Sequence, residues 1–404
     1  MTVSELPADV QFALTAAHGK RIGRRKRRIL FLIHSTETFS ALEPVIEELR
    51  HRSELFELLF VALPRNYGSA GLHDYVGLEK TRAFLEEKGL DPIPLRGEDT
   101  GDLGTLIRLA PDFMFRQSPW DGDVPPAVHV QWMAFANLCY VPYVTMIVEE
   151  PDRLYDQDFH NACDLIFCES EFHLEEYRKH RRLGANGVHA TGYPRLEAFA
   201  KALDADAGSW PVDVPDGVPR VIWAPHHSFG DWLTRSTFGY HAATMLEEAM
   251  RGRLSILFRP HPALRDKLVD FDLMTYGEFD EYVAAFDAAE LCAVDTASEY
   301  IGTFAASDCM ITDGVGFFAE YMLTGKPMFQ TRRPDNKPLN SFGDWLVEAC
   351  EPIDDTDALR RLLDELAEGR HEDAYAALRE DRRTALREMS FGAAVRIADL
   401  LEQA

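Results

Sequence analysis

The chain has 404 residues, 46% of them hydrophobic and 27% charged, with 42 Lys and Arg against 67 Asp and Glu and a formal net charge of -25. That length suits two domains of about 150 to 200 residues, and no window approaches the roughly 18 uninterrupted apolar residues of a membrane-spanning helix. So large an acidic excess disfavours broad binding to nucleic acid.

The first twenty residues lack an apolar core followed by a small-residue cleavage site, so the sequence reads as a cytoplasmic protein. Residues 1–28 read as a basic N-terminal arm ending in Lys-Arg-Ile-Gly-Arg-Arg-Lys-Arg-Arg, Lys20 to Arg28. Such a cluster suits either solvent or the anionic headgroups of a membrane surface. Ile29 to Ile33 is a continuous apolar run, as in a strand buried on both faces of a parallel sheet. His34 to Thr38 follows as a loop and Ser40 to Arg50 has helical spacing. The alternation then repeats, with strands at Leu58–Leu63, Asp112–Phe115, Val141–Val148 and Leu165–Cys168, and helices at His73–Lys88 and Glu171–His180. Repetition of this kind marks an open parallel sheet.

Asp204 to Pro219, rich in Pro, Gly and Asp, reads as a linker between an N-terminal domain at 29–203 and a C-terminal domain at 220–375, with a closing helical segment at 376–404. Strands of the second half are expected at Val221–Ala224, Ser255–Phe258, Leu291–Val294, Cys309–Thr312 and Pro327–Gln330. The six cysteines lie apart in apolar segments, without zinc-site spacing, and read as reduced core residues.

Three loops of the second half carry the chemistry. Val221–Ala224 runs into Pro225-His226-His227-Ser228, which puts two imidazoles at the carboxyl end of a strand, where open α/β sheets bind ligands. Either His226 or His227 suits a general base titrating near neutrality. Ser255–Phe258 ends in Arg259-Pro260-His261-Pro262, which adds a planar fork of donors for phosphate oxygens and a further imidazole. Cys309–Thr312 ends in Asp313-Gly314-Val315-Gly316 ahead of a helix at Phe317–Leu323. Free N–H groups at that turn suit a phosphate. Glu320, one turn into the helix, suits ribose hydroxyls or solvent. The histidines lack the i, i+4 spacing of a helical zinc site, so no metal is expected. There is no phosphate-cradling Walker loop, no Gly-x-Ser-x-Gly elbow and no early Gly-x-Gly-x-x-Gly, which weakens ATPase, hydrolase and dehydrogenase readings.

Taken in order, these motifs resemble the CDP-glycerol glycerophosphotransferase family of teichoic-acid and capsule polymerases. Asp164–Ser170, Gly192-Tyr193-Pro194-Arg195, Ala224-Pro225-His226, the His of Arg259-Pro260-His261, Ser307–Asp313 and Gly325-Lys326-Pro327 carry the resemblance. Pro111–Gln117 and Tyr140–Tyr143 are similar to N-terminal segments of its capsule-type members. The chain departs from the pattern at Gly314-Val315-Gly316, where the family has Tyr-Ser-Ser, and in the late aromatic segment around Arg332 to Trp345.

The resemblance implies a GT-B α/β fold, two Rossmann-like domains with parallel sheets facing a central cleft. It implies transfer of a phospho-polyol from a CDP-activated donor to a hydroxyl acceptor in cell-surface polymer synthesis. His226, His227 and His261 would be catalytic, and Arg259, Thr312, Asp313, Gly314, Val315, Gly316 and Glu320 would hold the donor. His34, Glu37 and Thr38 would lie on the acceptor side. No cofactor is implied, and the partners are a nucleotide-activated donor and a lipid-linked or polymeric acceptor reached by peripheral membrane contact. A GT-B glycosyltransferase or sugar-nucleotide epimerase, and a non-catalytic nucleotide-binding protein, are the alternatives on the same fold.

Overall fold

The computed structural model describes residues 7–21, 24–66, 75–205, 208–230, 233–297 and 299–404. The chain forms two compact units, and both are discontinuous in sequence. Unit 1 comprises Met1–Met146, Glu150–Glu197 and Met389–Ala404; unit 2 comprises Ile147–Glu149 and Ala198–Glu388. The main change of unit therefore falls at Glu197–Ala198, within a helix (Pro194–Ala205), rather than in the Pro-rich stretch from Asp204 to Pro219. The last helical segment is two helices, Ala376–Ser390 and Ala393–Gln403, broken at Gly392, which adopts φ +72°.

Unit 1 is built on seven parallel strands: β1 (Arg27–Ile33), β2 (Phe56–Ala62), β5 (Pro92–Pro94), β6 (Phe113–Arg116), β7 (Asn137–Tyr140), β8 (Leu165–Cys168) and β9 (Val188–Ala190). Their order is β5-β2-β1-β6-β7-β8-β9. The two-residue strands β3 (Arg65–Asn66) and β4 (Tyr75–Val76) pair antiparallel apart from it. Ile29 to Ile33 are fully buried, as the continuous apolar run requires. The strand expected at Val141–Val148 does not form: β7 ends at Tyr140, and Pro142 has no N–H to continue the ladder. The helix expected at His73–Lys88 spans Leu78–Glu87, and His73 lies outside the described residues.

Among the first 28 residues, those that the structure describes do not form a free arm. Ala8–Arg21 is a helix that buries Val10, Ala13 and Ala17 and packs on the helix Thr100–Arg108. Arg21 donates to the carbonyls of Pro111 and Phe135, Arg24 pairs with Asp112, Arg27 donates to the carbonyls of Leu401 and Glu402, and Arg28 pairs with Glu57. The basic cluster is thus largely spent on satisfying carbonyls and carboxylates of its own unit. Arg25 and Lys26 remain exposed; Ile22 and Gly23 lie outside the described residues.

Unit 2 has six parallel strands: β10 (Arg220–Ala224), β11 (Ser255–Phe258), β12 (Ala293–Val294), β13 (Cys309–Thr312), β14 (Met328–Thr331) and β15 (Glu351–Ile353). Their order is β12-β11-β10-β13-β14-β15. Val221 and Trp223 alternate onto one face of β10. There Trp223 stacks on Phe238 and Phe258 at centroid distances of 5.7 and 4.8 Å within a core that includes Phe279, Tyr282 and Phe286. Both sheets reverse strand order beside their first strand, so ligand crevices are expected between β1 and β6 and between β10 and β13. All six cysteines are buried and unpaired.

Candidate active site

The switch point of unit 2 is laced by the motifs singled out in sequence. Pro225 ends β10 by withholding an N–H. The Thr312 hydroxyl donates to the carbonyl of Ala224 at 2.6 Å, and the N–H of His226 donates to Asp313 Oδ1 at 2.5 Å, so the ends of β10 and β13 are pinned together. Arg259 N–H donates to the Trp223 carbonyl and His261 N–H to that of Pro225, which carries the β10–β11 register past the strand ends. The loops so fixed bring His226, His227 and His261 into one cluster. Ring centroids are 4.2 Å apart for 226–227, 3.9 Å for 227–261 and 5.2 Å for 226–261.

Burial lowers the pKa of all three imidazoles. His227 falls to about 4, with the charge of Lys267 adding to the effect; His261 falls to about 3 and His226 well below its ordinary value, with neighbouring imidazoles adding to the effect at these two. They are neutral at pH 7, and a neutral imidazole has one donor nitrogen and one acceptor. Ser228 N–H donates to His226 Nδ1 at 3.3 Å, and Ala263 N–H donates to His261 Nδ1 at 3.1 Å. The same contact, from the backbone two residues on, recurs at both strand ends. A backbone donor needs an unprotonated Nδ1, so we assign the proton of both rings to Nε2. His227 Nδ1 is buried and has no hydrogen-bond partner among the described residues.

One ring nitrogen from each histidine lies within 4.8 Å of the others, a spacing that a divalent cation could bridge. A metal, however, needs a lone pair where His226 and His261 carry their protons, because their other nitrogens already accept from the backbone. As built, these two rings suit an anion better than a cation.

Several sequence candidates brace the site. Asp313 is buried, and its second oxygen accepts from the Thr237 N–H and hydroxyl at 2.5 and 2.6 Å. Thr312 Oγ1 also accepts from Gly314 N–H at 2.8 Å, so that N–H is not free for a ligand. A Cβ on Gly314 would sit 3.0 Å from the same hydroxyl, so crowding, rather than an unusual φ, favours glycine there. Val315 and Gly316 keep N–H groups that donate to nothing among the described residues. Arg259, expected on phosphate, is already neutralised: it pairs with Asp295 at 2.5 Å, donates to the Ala297 carbonyl and lies over the Tyr300 ring at 4.5 Å. Glu320 is buried rather than solvent-facing and accepts from the Tyr300 hydroxyl at 2.5 Å. Together these two hold the loop after β12 against the helix Phe317–Met322.

Sequence reading missed Ser228, Asp295, Tyr300 and the run Thr234-Arg235-Ser236-Thr237, all four of whose residues are buried. The available signal was four consecutive polar residues between a histidine loop and an amphipathic helix (Phe238–Arg251).

At the switch point of unit 1, Gln117 after β6 clamps the segment after β1. Its Oε1 accepts from the N–H groups of His34 and Ser35, and its Nε2 donates to the Ser35 carbonyl. His34 is buried with Nδ1 unpartnered and a pKa lowered by burial to about 3. Thr38 Oγ1 is likewise buried and unpartnered. Burial raises the pKa of Glu37, but bonds from Lys80 and Ser35 outweigh it and bring the carboxyl down to about 2.

Residues 145–338 match the model of the family described as CDP-glycerol:poly(glycerophosphate) glycerophosphotransferase. The match takes in 194 of the 404 residues, and that segment is similar to the glycerophosphotransferase family. No curated protein matches the chain in sequence. Among solved structures, a variant of the wall teichoic acid polymerase TagF is similar at TM-score 0.59 and 10% identity, over 98% of this chain and 92% of that one. A putative UDP-N-acetylglucosamine 2-epimerase from Listeria monocytogenes is similar at TM-score 0.58 and 14% identity, covering 93% and 96% of the two chains. The UDP-GlcNAc 2-epimerase of Neisseria meningitidis, bound to UDP-GlcNAc, is similar at TM-score 0.58 and 12% identity, covering 93% and 100%. At such identities the neighbours establish the shared GT-B α/β fold. The glycerophosphotransferase family segment contains the whole histidine cluster and the Thr312–Gly316 turn.

Family motifs outside the cluster have structural reasons. Gly192 adopts φ +81°, and a Cβ there would lie 2.3 Å from the Met389 carbonyl. Lys326 donates to the carbonyls of Phe304, Ala305 and Ser307, capping the C-terminus of the helix Ile301–Ala306.

Proposed function

We propose that the protein transfers glycerol phosphate from CDP-glycerol to a hydroxyl acceptor in the synthesis of a teichoic acid or capsule polymer. The observation that carries this reading is the convergence of three neutral imidazoles at the β10–β13 switch point, inside the segment that matches the glycerophosphotransferases. Phosphoryl transfer asks for positioning and charge stabilisation more than for covalent help from the protein.

In the proposed step the acceptor oxygen attacks the β-phosphorus of the donor. A new P–O bond forms to the acceptor, the bond to the bridging oxygen breaks, and CMP leaves with that electron pair. His227 takes the acceptor's proton, since the Nδ1 atoms of His226 and His261 are already occupied. The Nε2–H groups of those two rings and the N–H groups of Val315 and Gly316 stabilise the phosphoryl oxygens. Thr312 and Asp313 position His226; Arg259 and Glu320 position the loop before Tyr300. The route calls on no resident metal or cofactor. His34, Glu37 and Thr38 are the proposed acceptor side, and Arg25 and Lys26 the remaining exposed contact for a membrane surface. A donor of this kind keeps the chain in the cytoplasm.

The test is product analysis. Incubation with CDP-glycerol and a glycerol-phosphate primer is expected to release CMP in step with primer extension. Release of UDP from a UDP-sugar, with none of CMP from CDP-glycerol, would overturn the proposal.

A further inference from the structure

Arg259, the sequence candidate for phosphate, is committed to Asp295 and Tyr300, and the family's serine hydroxyls are replaced by Gly314-Val315-Gly316. The cluster nevertheless has a second guanidinium beside it. Arg235 is buried, in a loop folded back on the histidine segment through the N–H groups of Arg235 and Ser236, which donate to the Ser228 carbonyl at 3.1 and 2.8 Å.

Its side chain is sparsely satisfied. One hydrogen bond runs from Nη2 to the Lys337 carbonyl at 2.7 Å, Nε is buried without a partner, and no carboxylate forms an ion pair with it among the described residues. Asp313 and Asp344 act on it only through space, and the oxygens of Asp313 accept from His226 and Thr237. Its positive charge is felt at His226, and burial lowers its pKa to about 10, which leaves it charged at neutral pH. A buried charge costs free energy until an opposite charge and hydrogen bonds compensate it. Arg259 has such compensation; among the described residues Arg235 has none.

We infer that Arg235 is the cation that receives the diphosphate of the donor, beside the Nε2–H groups of His226 and His261. Its planar fork of donors matches two phosphate oxygens. This assignment rests on the glycerophosphotransferase reading for the identity of the donor but not for the chemistry of the ligand, which is any diphosphate.

Calorimetric titration of the full chain with CDP-glycerol and with inorganic pyrophosphate tests it, using wild type, Arg235→Gln and Arg235→Lys, each checked for an unchanged melting profile. Arg235→Gln is expected to weaken both ligands at least about tenfold, and Arg235→Lys, which keeps the charge without the fork, by roughly threefold or more. Unchanged affinity in a folded variant overturns the inference, and the Lys variant decides if the Gln variant fails to fold. If the wild type binds pyrophosphate through Arg235 but ignores CDP-glycerol, the donor reading falls and the diphosphate site stands.

Discussion

Replacing Asp313 with Asn tests whether the most family-like segment of the chain acts as a ligand group or as a brace. In the structure its two oxygens accept the N–H of His226 and the N–H and hydroxyl of Thr237, and that hydroxyl lies 2.8 Å from the Thr331 hydroxyl. Asn keeps one acceptor for His226 but turns an amide donor toward the N–H of Thr237. The Thr237 hydroxyl recovers by donating to Thr331, whereas its backbone N–H is left buried without a partner. That orphan costs about 1 to 3 kcal/mol, and the loss of charge assistance at His226 adds about 1. Burial already raises the pKa of this carboxyl, so removing the charge returns part of the loss. A net destabilisation of about 2 kcal/mol corresponds to a fall of roughly 4 to 8 °C in apparent Tm for a unit of this size. Differential scanning calorimetry reads it directly. An Asp313→Asn variant that melts within about 2 °C of wild type while losing donor affinity would refute the bracing role and make Asp313 a ligand contact.

Turnover of His261→Ala is expected to fall at least about a hundredfold with the melting profile retained, as for removal of a donor aimed at developing charge; unchanged CMP release would end its catalytic role. Stability should fall with acid. His34, His160, His227, His241 and His261 have pKa values lowered to about 3 or 4, so below pH 6.5 the unfolded chain binds more protons than the folded one. Each then costs on the order of 1 kcal/mol between pH 6.5 and 5.5, and an apparent Tm that is flat from pH 7.5 to 5.5 contradicts these burials. Long-range nitrogen–proton NMR spectra of labelled protein should show His226 and His261 as Nε2–H tautomers, with zinc binding no tighter than to a His226→Gln variant; a zinc affinity that collapses in that variant would show a metal site instead.

The strands bearing the site were legible because both ends of the signal were local. Val221–Ala224, Ser255–Phe258 and Cys309–Thr312 are short apolar runs, each stopped by a Pro, an Arg-Pro or an Asp-Gly, and the structure places them within a residue of those limits. Strands without such a run were not: β5 is Pro-Ile-Pro and β15 Glu-Pro-Ile, held in place by their neighbours rather than by their own pattern. The roles of side chains were less legible than their positions, for a related reason. A sequence shows that Arg259 stands at a strand end, but it does not show that Asp295, 36 residues later, arrives to neutralise it.

Arg235 presents the converse case. In the sequence it is one cation in a polar run; what separates it from Arg181, which is buried without an ion pair but donates to three carbonyls, is that it has a single hydrogen bond among the described residues. Charge is therefore informative at this site chiefly where it is unbalanced. By that measure the switch point holds one uncompensated cation and two rings fixed as donors, and an acidic chain of net charge -25 concentrates there what its surface withholds from anions. A polyanion gains little by approaching such a protein at random, whereas a single diphosphate of the right shape meets at this switch point a buried cation beside fixed donors.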